Sequence, residues 1–283
     1  MKSEIQFFNT EHLQKSDCLW KFLTIEKFFS LVLNSKFHFT RLDSFNDPLE
    51  GVSSELLLLN HTKEALLKTP LFSELSKYHS IDVYPTQTDS LQEQLHKTQK
   101  FQFANCWYVS PKDVESIAMW NLYSAMNSVA MNISFENFRH RIERGELSSR
   151  ITVKSFTLGL VKYVNYSDPK EITELQKTLW QIAFTKDRSY EYEKEFRVIA
   201  EIPEYPEIPF KPKEGISLEY QKKFHQKNSQ IYSLEVNPKN FLEYEFEIVF
   251  HPKMPNWVQK DLALILERFE IPFVTRKSNL EIK

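Results

Sequence analysis

The chain predicts a single α+β domain over residues 1–283, with a central mixed, mostly antiparallel sheet, flanking helices and a helical insertion over 53–100. Three observations carry that prediction. Segments with helical apolar spacing alternate irregularly with aromatic and β-branched runs of strand length. The order is not the regular βαβα of a doubly wound sheet. Neither an internal repeat nor a convincing linker divides the 283 residues, and 23 Phe and 12 Tyr supply an aromatic core.

The first helical pattern is IEKFFSLVLNSK, with Thr24 as candidate N-cap and Ile25, Phe28, Phe29 and Val32 on one face. Residues 37–42 follow as a strand in which Phe37, Phe39 and Arg41 share one side. An acidic turn comes next, FNDPLEG, carrying Asp47 and Glu50. Arg41, a permanent cation beside two aromatics, either pins this turn through Asp43 or Asp47 or opens onto a cleft. The 53–100 region holds a leucine-rich helix near Glu55–Leu67, a break at Pro70 and a polar second half.

FQFANCWYV reads as a strand. Ser110 then reads as an N-cap with Pro111 in the first helical position, leading into a helix that puts Trp120 and Tyr123 on one face. SVAMNISF is a strand, FENFRHRIERG a helix, and SFTLGLVKYVNY another strand. Asp168 and Pro169 start a further helix. EYEKEFRVIAEI reads as a strand with Glu193, Glu195 and Arg197 on one face, and the chain closes in a β–β–α–β unit.

Composition excludes several classes of function. Only 4 glycines are present, and no dinucleotide or P-loop fingerprint occurs. A net charge of −2 gives no basic field, so nucleic acid is not expected as a main partner. Two cysteines are too few for a disulfide framework, and the histidines lack metal-ligand spacing, so no metal site is expected. The apolar run at 56–59 is too short for a bilayer, and MKSEIQFFNTE lacks signal-peptide character, which makes a cytoplasmic location the expectation.

The acid/base candidates are Glu193 and Glu195, roughly 6.5–7 Å apart if both lie on a strand, with Lys186 and Arg197 beside them. Trp120 and Tyr123 are candidates to stack a ring. Arg41, Asp47, Glu50, Lys186 and Arg197 complete the candidate binding set for a small nucleotide-like ligand. The competing account makes the same charges structural ion pairs in a ligand-sensing or protein-interaction domain without turnover.

Two resemblances add to this. The ordered blocks FHFTRLDSFNDPLEG, ANCWYVSPKDVESIAMWNLYS, VKYVNY and FTKDRSYEYEKEFRVIA resemble a widespread bacterial family, domain-of-unknown-function family twenty-nine seventy-one, over most of residues 19–275. This chain departs from it at Asn127–Ser128, where members often carry a glycine, and at Lys186–Asp187–Arg188, where they carry adjacent basic residues. More distantly, a helix, a strand bearing Arg41 and a later strand bearing an E-x-E resemble ADP-ribosyltransferases. That resemblance implies NAD as substrate, Arg41 as its anchor, Tyr123 as an aromatic wall and Glu195 or Glu193 as the catalytic carboxylate.

Overall fold

The computed structural model describes residues 3–59, 98–111, 114–144, 146–178, 181–204, 218–239, 246–270 and 272–280. Its sheet elements run in chain order as β1 (Glu4–Phe8), β2 (Cys18–Thr24), β3 (Phe37–Arg41), β4 (Gln102–Ser110), β5 (Ser128–Ser134), β6 (Glu146–Ser148) and β7 (Ser155–Leu160). After these come β8 (Lys162–Val164), β9 (Thr185–Asp187), β10 (Glu195–Glu201), β11 (Ser233–Lys239), β12 (Phe246–Phe250) and β13 (Phe273–Lys277). The helices are α1 (Ile25–Asn34), α2 (Ser54–Leu59), α3 (Ile117–Tyr123), α4 (Phe135–Arg144), α5 (Pro169–Lys177), α6 (Leu218–Ser229) and α7 (Asn256–Arg268). Apart from α2 and the last residues before 101, the 53–100 stretch predicted as a helical insertion lies outside the described residues.

One eleven-stranded sheet follows the order β1-β7-β10-β4-β2-β5-β12-β13, with β3 joined to β4 and to β11, and β11 to β6. It is mixed and mostly antiparallel: β1 with β7 and β12 with β13 are its parallel pairs. Alternation sorts its side chains. Leu19, Trp107, Met131, Leu158 and Phe196 enter the large core with Phe28 and Leu31 of α1, Phe138 of α4 and Leu262 of α7. Trp20, Tyr108, Ala130 and Val249 pack instead with Met119 and Trp120 of α3. Burial of each such side chain contributes roughly 1.5–3 kcal/mol, which is why period-two strands and period-3.6 helices settle in this register.

Two glycines are needed for their backbone. Gly51 closes the acidic turn at φ +64°, and a Cβ at Gly159 would stand 2.0 Å from the Phe8 carbonyl oxygen, which would hold β1 away from β7.

Several boundaries differ from the sequence reading. Ser110 ends β4 rather than capping a helix, because its Oγ accepts the Trp20 indole N–H at 2.9 Å. Ser116 takes the cap of α3 through Met119 N. SFTLGLVKYVNY splits into β7 in the main sheet and β8, which pairs with β9. The strand read over EYEKEFRVIAEI begins at Glu195. Asp187 caps a 3₁₀ turn over Arg188–Glu193, and Lys194 in the left-handed region at φ 39° redirects the chain into β10. Asp168 and Pro169 start α5 as expected, with the Asp168 carboxylate accepting from Lys170 N.

Candidate active site in a fork of the sheet

One edge of β4 is covered by β10 along its length. Its other edge is shared. β2 pairs with Cys18↔Ser110 through Trp20↔Tyr108, and β3 pairs at Thr40↔Ala104 and Arg41↔Phe103. Between them, residues 105–107 of β4 face a fork in which β2 and β3 diverge, with α1 as the link. A cavity of about 530 Å³ occupies this fork. Lys21 of β2, Asn105 and Cys106 of β4, Tyr123 of α3, Lys186 of β9 and the two glutamates of the E-x-E all line it.

The glutamate end is a charge network. The Lys186 ammonium donates to Glu193 at 2.5 Å and to Glu195 at 2.8 Å, with Glu50 at 3.6 Å. Arg197 donates through Nε to Glu195 at 2.6 Å, and through Nη1 to Glu50 at 2.5 Å and to the Ala183 carbonyl at 2.8 Å. The Tyr123 hydroxyl donates to Glu193 at 2.5 Å, and the Glu195 amide donates to the Tyr163 hydroxyl at 2.8 Å. Arg197 has no exposed surface and Glu50 only 2%, whereas Tyr123 is exposed.

Three carboxylates therefore share two cations, and their environments separate them. Burial alone would raise the Glu195 carboxyl, but Arg197, then the hydrogen bond it accepts from Glu193, and Lys186 hold it well below the usual range, so it stays ionised. Burial, together with the hydrogen bond its acid form makes to Glu195, pushes Glu193 up to about 7. Burial would likewise lower the Lys186 ammonium, yet Glu195 and Glu50 overcome it and hold it above its ordinary value. The Tyr123 hydroxyl is pushed up by burial and by Glu193, so it remains a donor. One carboxylate fixed in its charged form beside another poised near neutrality is the pattern of an acid/base site.

The sequence candidates divide cleanly. Lys186, Glu193, Glu195 and Tyr123 meet at the cavity, and Glu50 and Arg197 brace them from behind. Asp47 shapes the turn that delivers Glu50, its carboxylate accepting from Leu49 N at 2.9 Å. Arg41 does not reach the site. It pairs with Asp43 at 2.5 Å, donates to the Ser229 and Ile231 carbonyls and lies 4.0 Å from the Tyr232 ring centroid. Its role as ligand anchor is thereby replaced by that of a pin between β3 and the end of α6. Trp120 is fully buried, 4.9 Å from the Phe22 ring, and forms no wall of the cavity. Lys21, Asn105 and Cys106 were missed. Lys21 sits inside the apolar run LWKFLT, and nothing in that run signals that β2 leaves β4 just there. Cys106 is half-buried on the cavity wall, where burial pushes its thiol up.

Comparison of the chain with protein-family models, curated proteins and solved structures returned no match. Among the described residues no cluster of three metal-ligating side chains occurs, and no helix is long and apolar enough to cross a membrane.

Proposed function

We propose that this chain is an enzyme that binds a small nucleotide-like ligand in the fork cavity and uses Glu193 for proton transfer. Its most concrete form is ADP-ribosyl transfer from NAD. The observation that carries the reading is the contact of Glu193 with Tyr123 and Lys186 on the cavity wall, with its carboxyl held near pH 7. In that reaction the bond from the ribose anomeric carbon to nicotinamide breaks, and its electron pair leaves with neutral nicotinamide. Glu195, ionised, stabilises the positive charge that develops on the sugar. An acceptor hydroxyl or water then bonds to the anomeric carbon and gives its proton to Glu193. Tyr123 and Lys186 orient Glu193 from two sides. The reading draws on the distant resemblance of the E-x-E segment to ADP-ribosyltransferases, and it takes the protein to act in the cytoplasm.

A second reading is favoured by the complete burial of Arg197 between Glu50 and Glu195, which makes that half of the network a structural brace. In that account the cavity binds a ligand without turning it over. Incubating the chain with NAD separates the two: nicotinamide release is expected from the enzyme. Binding without release supports the second reading, and neither release nor binding overturns the NAD form.

A further inference from the structure

We propose that the Lys21 end of the cavity is a phosphate-binding subsite, in which Lys21, helped by Lys27, holds the diphosphate of the ligand. The inference takes the fork cavity to be the ligand site proposed above, and it assigns the anchoring that Arg41 cannot perform.

Lys21 fills the gap between β2 and β4. Its ammonium donates to Asn105 Oδ1 at 3.0 Å and to the Cys106 carbonyl at 2.7 Å. Both acceptors are neutral, and an ammonium has three N–H groups, so one donor and a full charge are left over. Asn105 is held in place by its own bond to the His38 carbonyl at 2.9 Å. No carboxylate of the described residues lies within 4 Å of Lys21, whereas Lys186 across the cavity is surrounded by three. The second cation, Lys27, is exposed on the first turn of α1 and also lines the cavity. A lysine there opposes the helix dipole and faces a like charge, an arrangement that an incoming anion relieves. Lys36, on the same wall, is already neutralised by Glu235 at 2.6 Å.

The charged groups acting on Lys21 at neutral pH are Lys27 of α1 and Glu195 of β10, since burial keeps the Cys106 thiol of β4 protonated. Burial first, then Lys27, brings its ammonium down to about 8 against the opposing pull of Glu195, so its charge is incompletely stabilised by the protein alone. The cavity is thus divided, with a proton-transfer end at Glu193 and an anion-holding end at Lys21. A phosphate ester carrying a group that reacts about one cavity length away fits this layout.

Calorimetric titration of the full chain with pyrophosphate at pH 7.5, beside neutral adenosine, tests the assignment. Pyrophosphate is expected to bind and adenosine to bind much more weakly. Lys21→Met is expected to weaken pyrophosphate by at least about tenfold, the scale of one lost charge-assisted contact. Because Lys21 is built into the fork, the exposed Lys27→Gln provides the second test, with an expected loss of about threefold at an unchanged melting temperature. Pyrophosphate has no nicotinamide to release, so its binding is read independently of turnover, and a failure of the catalytic reading and a failure of this one give different results. No pyrophosphate binding, or binding unaffected by Lys27→Gln and by a folded Lys21→Met, overturns the proposal.

Discussion

Glu193→Gln is expected to lower the rate of nicotinamide release from NAD by about 10²–10⁴-fold, the usual share of a positioned acid/base group. Glutamine keeps the size of the side chain and can still accept from Tyr123 and Lys186, but it cannot take a proton. Ligand affinity should change little, so the loss falls on kcat rather than on KM. The same variant carries a stability signature. Glu193 has a folded pKa near 7, above the unfolded value, so the protonated form is the one favoured by folding. Its contribution is complete below the unfolded pKa and is lost as pH rises through about 7. Denaturation of the unaltered chain should therefore show this loss between roughly pH 4.5 and 7, and Glu193→Gln should lack it. A variant that releases nicotinamide at the original rate would remove Glu193 from the chemistry.

Arg197→Met has the second large expected effect, on stability. Arg197 is without exposed surface and bonds to Glu195 at 2.6 Å and to Glu50 at 2.5 Å. Removing it leaves two buried carboxylates with Lys186 as their remaining cation, and breaking such a buried pair costs about 3–5 kcal/mol. Urea denaturation measures this directly. The penalty should shrink in Glu50→Gln/Arg197→Met, because one of the stranded charges is gone as well. A cost under about 1 kcal/mol for the single variant would mean that the pair behaves as a solvated surface bridge. Because Glu195 relies on Arg197 to stay ionised, the folded fraction of the variant should also release nicotinamide more slowly.

The fold class was legible because it rests on local periodicity. The α1 pattern of Ile25, Phe28, Phe29 and Val32, the strand 128–134 and the Asp168–Pro169 helix start each carry their signal within a dozen residues. The E-x-E site was legible in its residue types but not in its geometry. A left-handed Lys194 leaves no mark in the sequence, yet it turns Glu193 back towards Lys186 where a continuous strand was expected. The reading of Arg41 as a turn pin needed only Asp43, two residues away, and that is the arrangement found. Its contacts with the Ser229 and Ile231 carbonyls, some 190 residues on, had no local signal. The same holds for the Glu50–Arg197 pair, 147 residues apart, and for the fork itself. The fork depends on β2 and β3 sharing one edge of β4, which is a property of strand pairing and not of any one segment. Trp120 and Tyr123 stand close together on one short helix, but only pairing with Phe22 and Trp20 in the sheet decides that the first is core and the second faces Glu193.

The central claim is that Glu193 is poised to exchange a proton near neutral pH while Glu195 stays charged. The most direct measurement is an NMR titration of the side-chain carboxyl carbons in glutamate-labelled protein, with the Glu193 signal assigned by its absence in Glu193→Gln. A Glu193 midpoint near 7, with Glu195 remaining ionised down to the acid limit of the titration, is the result predicted. A Glu193 midpoint at the ordinary glutamate value of about 4.3 would contradict it.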